Sequence, residues 1–236
     1  MKQFKVLSYD GQPKFISSLS LLKTIRIVKP LNIYSLFKLI TSLLFAKTVR
    51  GGDISKYIDL ELHKLAPDKF DVAVIGQEDN YKKITLINIK DALVTKVLLF
   101  KNLTLASDFY SEFTLNYENV VSDFSTFNDI KIEKVKSIKL SNNSLTLVTH
   151  YIDHIKYNWF EMLALFPNIL NRIYQSKSEV VIKDFKLHNV AIKNGVLYVY
   201  DLETLSRGSW DESVSFFIEN LRFYAKYSLF CTLLKN

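Results

Sequence analysis

Apolar residues recur at helical spacing between residues 17 and 47: Leu21, Leu22, Ile25, Ile27 and Val28, then Ile33, Leu36, Phe37, Ile40, Leu43 and Leu44. Pro30 lacks the amide hydrogen that a helix interior needs, so the spacing predicts two helices rather than one. The second gathers its apolar positions on one face, which either packs against the protein or lies in a lipid interface. Gly51-Gly52 ends this pattern, and the chain beyond it becomes strand-like. Residues 72–75, 84–89 and 93–100 are short runs of Val, Ile and Leu separated by polar stretches, which predicts a three-stranded antiparallel meander. Residues 109–121 read as a helix with Phe109, Phe113 and Tyr117 on one side. Two further strands follow near 131–140 and 145–151, joined by a turn at 141–144.

Helical periodicity returns from Asn158 through Phe160, Leu163, Phe166, Ile169, Leu170 and Ile173, interrupted by Pro167. Val190-Ala191-Ile192 and residues 196–200 then flank Asn194-Gly195. Both of these turn residues tolerate positive φ, so the segment reads as a hairpin closed by a type I′ turn. Residues 214–234 form a last helix with little polar surface, in which Cys231 reads as a small buried hydrophobe. The chain therefore divides into a basic, amphipathic helical segment over 1–52, a sheet-forming segment with one helix over 53–152, and a mainly helical segment carrying the hairpin over 153–236.

Composition narrows the class. The 236 residues are 48% hydrophobic and 23% charged with only six Gly and four Pro, which excludes disordered, collagen-like and low-complexity chains. A single cysteine cannot form an intramolecular disulfide and favours a reducing compartment. The first ten residues are charged and lack a secretory signal, so a cytoplasmic protein is expected. The most apolar stretch, residues 31–46, contains Lys38 and falls short of the roughly 20 apolar residues of a spanning helix.

Charge is more telling by position than in total. Residues 1–50 carry nine Lys and Arg against Asp10 alone, a net +8, while residues 51–236 sum to −1. The excess points to an anionic partner surface, phospholipid headgroups or nucleic acid, with a solvated basic face as the plain alternative.

Polar groups bracket the hairpin: Asp184, Lys186 and Asn189 before it, Asp201 and Glu203 after it. A hairpin brings its two ends together, so Asp184, Asn189 and Asp201 converge at one edge as carboxylate and amide oxygens that suit a hard cation such as Mg2+. One carboxylate remains to orient a hydroxyl, and Lys186 is placed to neutralise a phosphoryl group. Taken singly, each has a local reading: Asp184 as a turn cap, Asn189 in turn geometry, Asp201 and Glu203 at a loop start. His150, Asp153 and His154 have a metal-like spacing but no fourth ligand nearby.

The run Ile182-Lys183-Asp184-Phe185-Lys186-Leu187-His188-Asn189, the hairpin, and Asp201-Leu202-Glu203 resemble the catalytic loop and metal-binding aspartate of the protein-kinase-like superfamily, H-R-D-L-x-x-x-N followed by D-F-G. The preceding order of three strands, a helix and two strands resembles that fold's small lobe. The resemblance covers residues 70–235 and implies an α+β, bilobal protein-kinase-like fold, with a truncated helical C-lobe and an extra N-terminal helical segment. It makes Asp184 the base for the acceptor hydroxyl, Lys186 its neighbouring lysine, and Asn189 and Asp201 the Mg2+ ligands. Lys96, in Leu93-Val94-Thr95-Lys96, takes the position of the lysine that holds the nucleotide's α/β-phosphates, with Glu112 or else Glu118 as its ion-pair partner. Without the resemblance, Lys96 reads as a solvent-facing strand lysine. Tyr151-Ile152 falls at the hinge, where backbone groups hold the adenine of ATP.

Ile182 stands in place of the loop histidine, Leu202-Glu203 in place of Phe-Gly, and residues 74–79 hold one glycine where protein kinases have three. Only 33 residues follow Glu203, which is short for a peptide-docking lobe. The chain is thus most similar to bacterial lipopolysaccharide core heptose kinases. This likeness implies ATP and Mg2+ as cofactors, a sugar of a lipid-linked glycan as acceptor, and a peripheral place on the inner face of the bacterial inner membrane through residues 1–50, with no nucleic-acid partner. A kinase of a small alcohol or aminoglycoside, or a kinase-like binding protein without turnover, are the alternatives.

Overall fold

The computed structural model describes residues 2–9, 12–28, 33–57, 69–151, 179–182, 189–193 and 195–209, together with 167–168, 171, 175, 211–212, 214–216 and 218–219. Contacts divide the chain into two compact units, Met1–Ala106 with Val135–Tyr151, and Ser107–Lys134 with Ile152–Asn236. The architecture is mixed α and β, dominated by one large antiparallel sheet.

The first unit contains β1 (Gln3–Tyr9), β2 (Gln12–Ser17), α1 (Leu21–Val28), α2 (Ile33–Leu44), β3 (Lys47–Arg50), a 3-10 turn over Gly51–Lys56, β4 (Val72–Gln77), β5 (Tyr81–Asn88) and β6 (Leu93–Phe100). After α3 (Leu103–Phe124) and β7 (Ile130–Ile132), it is completed by β8 (Val135–Ser141) and β9 (Ser144–His150). Eight strands form one sheet in the order β3-β1-β2-β4-β5-β6-β9-β8, and every neighbouring pair is antiparallel. Alternation of side chains gives the sheet two apolar faces. On one, Phe4, Val6, Ile16, Ala73, Ile75, Ile84, Leu86 and Val97 join Ile54 and Phe70 in a single core. On the other, Phe15, Val72, Leu7 and Ile87 are covered by Leu21, Ile27, Leu39 and Leu43 of the two helices. The meander expected between residues 72 and 100 forms as β4, β5 and β6.

The N-terminus corrects the sequence reading. Residues 1–52 are not a helical segment set apart: they supply three of the eight strands, and the two helices are an excursion between β2 and β3. Phe4 and Val6 are buried while Lys5 between them is not, a period of two that excludes helix. Gly51-Gly52 is a turn into the same core rather than a boundary. The Gly51 N–H donates to the Lys2 carbonyl at 2.9 Å, and a Cβ on Gly51 would stand 3.2 Å from that oxygen.

Asp71 pins this edge to the meander. Its carboxylate accepts from Lys2 Nζ at 2.8 Å and from the Ile89 N–H at 2.9 Å, and its own N–H donates to the Ile87 carbonyl at 2.7 Å. Lys2 Nζ also donates to the Phe70 carbonyl at 2.6 Å. Burial by itself would raise the Asp71 carboxyl, but the Lys2 hydrogen bond, the Ile89 amide and the Lys2 charge together outweigh it and hold the group below its ordinary value. The stabilisation is therefore complete above the unfolded aspartate value of about 4 and is lost as pH falls through the lower folded value. Asp71→Asn is expected to cost about 1–2 kcal/mol at pH 7, with the difference in Tm from wild type closing as pH falls through the lowered folded value. Thermal unfolding of both proteins across this range checks it, and a gap that persisted in acid would remove the charge from the account.

α3 begins with Asn102 as its cap, whose Oδ1 accepts the Leu105 N–H at 2.9 Å. In the second unit the helix continues with Phe109, Phe113 and Tyr117 stacked in series at 6.1 and 5.8 Å, as their spacing predicts. The remaining described elements are β10 (Val180–Ile182), β11 (Val190–Lys193), β12 (Val196–Val199), a 3-10 turn over Leu202–Thr204 and β13 (Leu205–Arg207). β10 pairs with β13, and β11 with β12, both antiparallel, and β7 lies parallel to β12. Here the reading of residues 131–140 as one strand is corrected. The run divides at Glu133-Lys134, and β7 and β8 belong to different sheets. Residues 107–134 accordingly group with the C-terminal residues, not with 53–106 as the expected boundary has it.

Candidate active site

The hairpin β11–β12 forms with Val190 opposite Val199 and Lys193 opposite Val196, and Gly195 takes φ of 74°, the left-handed value its turn position requires. One step beyond the last pair, the Tyr200 N–H donates to the Asn189 carbonyl at 2.9 Å. This bond extends the ladder and sets Asn189 and Asp201 at the same open end of the hairpin. The side chain of Asn189 is buried and that of Asp201 half-buried. Of the residues singled out in the sequence, these two are the pair that the second unit brings together. Asp184 and Lys186 lie outside the described residues, as do Ile152, Asp153 and His154.

Asp201 adopts φ 68° and ψ 50°, the left-handed region that L residues other than Gly, Asn and Asp seldom occupy. Its backbone N–H donates to Glu133 Oε2 at 3.1 Å. Glu133 is itself buried and fixed by its own N–H on the Val199 carbonyl at 2.8 Å, and its carbonyl accepts the Tyr117 hydroxyl at 3.1 Å. The break between β7 and β8 thus delivers a carboxylate that holds the left-handed residue through its backbone. Sequence reasoning missed Glu133. Its signal was the polar pair Glu133-Lys134 in the middle of an otherwise strand-like run. Glu203, in the turn after Asp201, is buried as well.

Lys96 lies in the first unit, on β6, opposite Thr85 of β5 and Leu147 of β9. It is 5% exposed, which corrects the plain reading of a solvent-facing strand lysine. An ammonium so deep in a sheet is costly unless polar groups compensate it, and lysine is among the residue types least often fully buried. Glu112 and Glu118, named as its partners, both lie on the exposed side of α3. The polar residue that α3 buries is Asn116, at 1% exposure, with neither side-chain amide atom hydrogen-bonded among the described residues. Tyr151 follows β9 directly, and its N–H donates to the Ala92 carbonyl at 2.8 Å. His150 is exposed.

Among the described residues no three His, Cys, Asp or Glu side chains gather as a metal cluster. Asn189 and Asp201 nevertheless fit Mg2+ better than a softer ion. They are hard oxygen donors at one hairpin end, and Mg2+ is commonly held by one or two carboxylates together with water and phosphate oxygens.

No protein-family model and no curated protein sequence matches the chain. Among solved structures the chain is similar to the BubR1 kinase domain, at 12% identity and a TM-score of 0.38 over 58% of this chain and 48% of that one. It is similar to the amicoumacin kinase hAmiN in complex with AMP-PNP, Ca2+ and Ami, at 10% identity and 0.44 over 75% and 73%. It is similar also to the Mycobacterium tuberculosis PknI kinase domain, at 14% identity and 0.34 over 56% and 59%. The chain spans about half of the first of these structures and about three quarters of the second. Likeness at this level leaves activity and substrate open, since one fold hosts many chemistries.

Proposed function

We propose that the chain is an ATP-dependent phosphotransferase of protein-kinase-like fold that acts on a sugar hydroxyl of a lipid-linked glycan, with a lipopolysaccharide core heptose as the acceptor. The observation that supports it is the hairpin end, which sets Asn189, five residues after Asp184, at the same end as a left-handed Asp201. Asn189 and Asp201 would hold Mg2+, which supplies charge neutralisation at the phosphates. Asp184 accepts the proton of the acceptor hydroxyl as its oxygen bonds to the γ-phosphorus and the bond to the β-phosphate oxygen breaks, releasing ADP. Lys186 offsets charge on the transferred group and Lys96 charge on the α/β-phosphates. Most of the rate acceleration then comes from positioning and electrostatics.

The test is transfer of γ-labelled phosphate from ATP, with Mg2+, into a lipid and lipopolysaccharide extract and, in parallel, into free sugars and an aminoglycoside panel. Label in the glycolipid is the expected result, and label in a soluble alcohol alone would move the acceptor. A second reading, a kinase-like binding protein without turnover, is favoured by the single glycine of residues 74–79 and by Leu202-Glu203 in place of Phe-Gly. Nucleotide binding that does not need Mg2+, with no transfer to any acceptor, would establish it instead.

A further inference from the structure

α2 is apolar on both of its faces. Leu39 and Leu43 pack on the sheet with Leu21 and Ile27 of α1, which accounts for one face. On the other, Phe37, Thr41 and Leu44 follow one another at helical spacing and lead into Phe45. Phe37 is 61% exposed, Leu44 63% and Phe45 89%, and Leu22 on α1 is 72% exposed. These are the four most exposed large apolar side chains among the described residues. Thr41 adds little polarity to the stripe, because its hydroxyl is directed back to the Phe37 and Lys38 carbonyls at 2.8 and 3.1 Å. Apolar side chains this exposed, side by side on one helix, have no matching partner among the described residues.

Charge decides between occupants. Lys23, Lys38 and Lys47 are exposed on or beside the same two helices, within a segment whose net charge is +8. Two copies meeting through this face would set like charges against each other, whereas anionic headgroups over an acyl layer match both the cations and the apolar stripe. No described helix is long and apolar enough to cross a membrane, and α2, with 12 residues, reaches only about 18 Å. We propose that the α1–α2 pair lies in the plane of a bilayer rich in anionic phospholipid and inserts Phe37, Leu44, Phe45 and Leu22 at the headgroup level. This deepens the reading of a lipid-linked acceptor, but it rests on the first unit alone.

The experiment is co-sedimentation of the full chain with vesicles of phosphatidylcholine, with and without phosphatidylglycerol, at low and high salt and without nucleotide. Wild type is expected to bind the mixed vesicles at low salt and to release them at high salt. Phe37→Ser/Phe45→Ser is expected to bind about tenfold more weakly or worse, with an unchanged Tm because both side chains already face solvent. Binding unaltered by the double substitution would overturn the proposal, as would wild type left in the supernatant of every mixture. A substitution that instead turned a dimer into a monomer, without vesicle binding by either protein, would assign the face to self-association. Since the assay contains no ATP, its outcome is independent of whether the chain transfers phosphate.

Discussion

Asp201→Asn is expected to lower phosphate transfer about 100- to 1,000-fold while leaving the protein folded. The substitution isolates the carboxylate. Asparagine, like aspartate, tolerates the left-handed conformation at φ 68°, and the bond to Glu133 Oε2 is made by the backbone N–H, which the variant keeps. What is lost is one anionic oxygen donor at the hairpin end, replaced by a neutral amide that binds a divalent cation weakly. On the proposed phosphotransferase reading, Asp184→Asn should give a loss of similar size for a different reason, since it would remove the proton acceptor and leave the proposed metal ligands intact. The two variants separate on added Mg2+: high concentrations should restore part of the Asp201→Asn activity and none of the Asp184→Asn activity. Steady-state rates by ADP release, with Tm as the check on folding, read both. Rates within tenfold of wild type for Asp201→Asn would remove that residue from the metal site.

Phe4→Ala is expected to destabilise the protein by about 3–5 kcal/mol and to lower Tm by roughly 10 °C. Phe4 is 1% exposed, packs against the Phe70 ring at 5.3 Å, and joins β1 to a core that includes strands of the distant meander. Its removal leaves a void bounded by β-sheet on one side and the 3-10 turn on the other, where collapse is restricted by the hydrogen-bonded backbone. Deleting residues 1–17 should be worse than the point substitution. With β1 and β2 gone, β3 loses the strand it pairs with among the described residues, and β4 becomes a bare edge open to aggregation. An appendage would behave otherwise: a truncated chain with wild-type Tm would show that the N-terminal strands are dispensable. Chemical denaturation of Phe4→Ala and soluble yield of the truncation measure the two effects.

Much of the local structure was legible in the chain because it is written in short periods. The meander of β4, β5 and β6 follows from runs of Val, Ile and Leu, α3 from Phe109, Phe113 and Tyr117, the two N-terminal helices from their apolar spacing, and the hairpin from Asn194-Gly195. The same residues placed Asn189 and Asp201 together before any coordinates, because a hairpin's ends must meet. β1 and β2 carry the same kind of signal, in the alternation about Phe4 and Val6 and in Asp10-Gly11, a dipeptide that favours tight hairpin turns. The sequence by itself thus determined the meander, α1 to α3 and the hairpin with the polar groups at its end. Only the tertiary structure decided that β3 returns to pair with β1, Gln3 opposite Arg50, and that β7 leaves its neighbour β8 to lie along β12, Ile130 opposite Leu197. Through those pairings Glu133 comes to hold Asp201, while β5 and β9 on either side of β6 accompany the burial of Lys96, and α2 packs one apolar face on the sheet and leaves another to solvent. The reason is physical: a residue's neighbours along the chain set its local conformation, while pairing across many residues depends on which distant apolar faces fit together once the loops between them have closed.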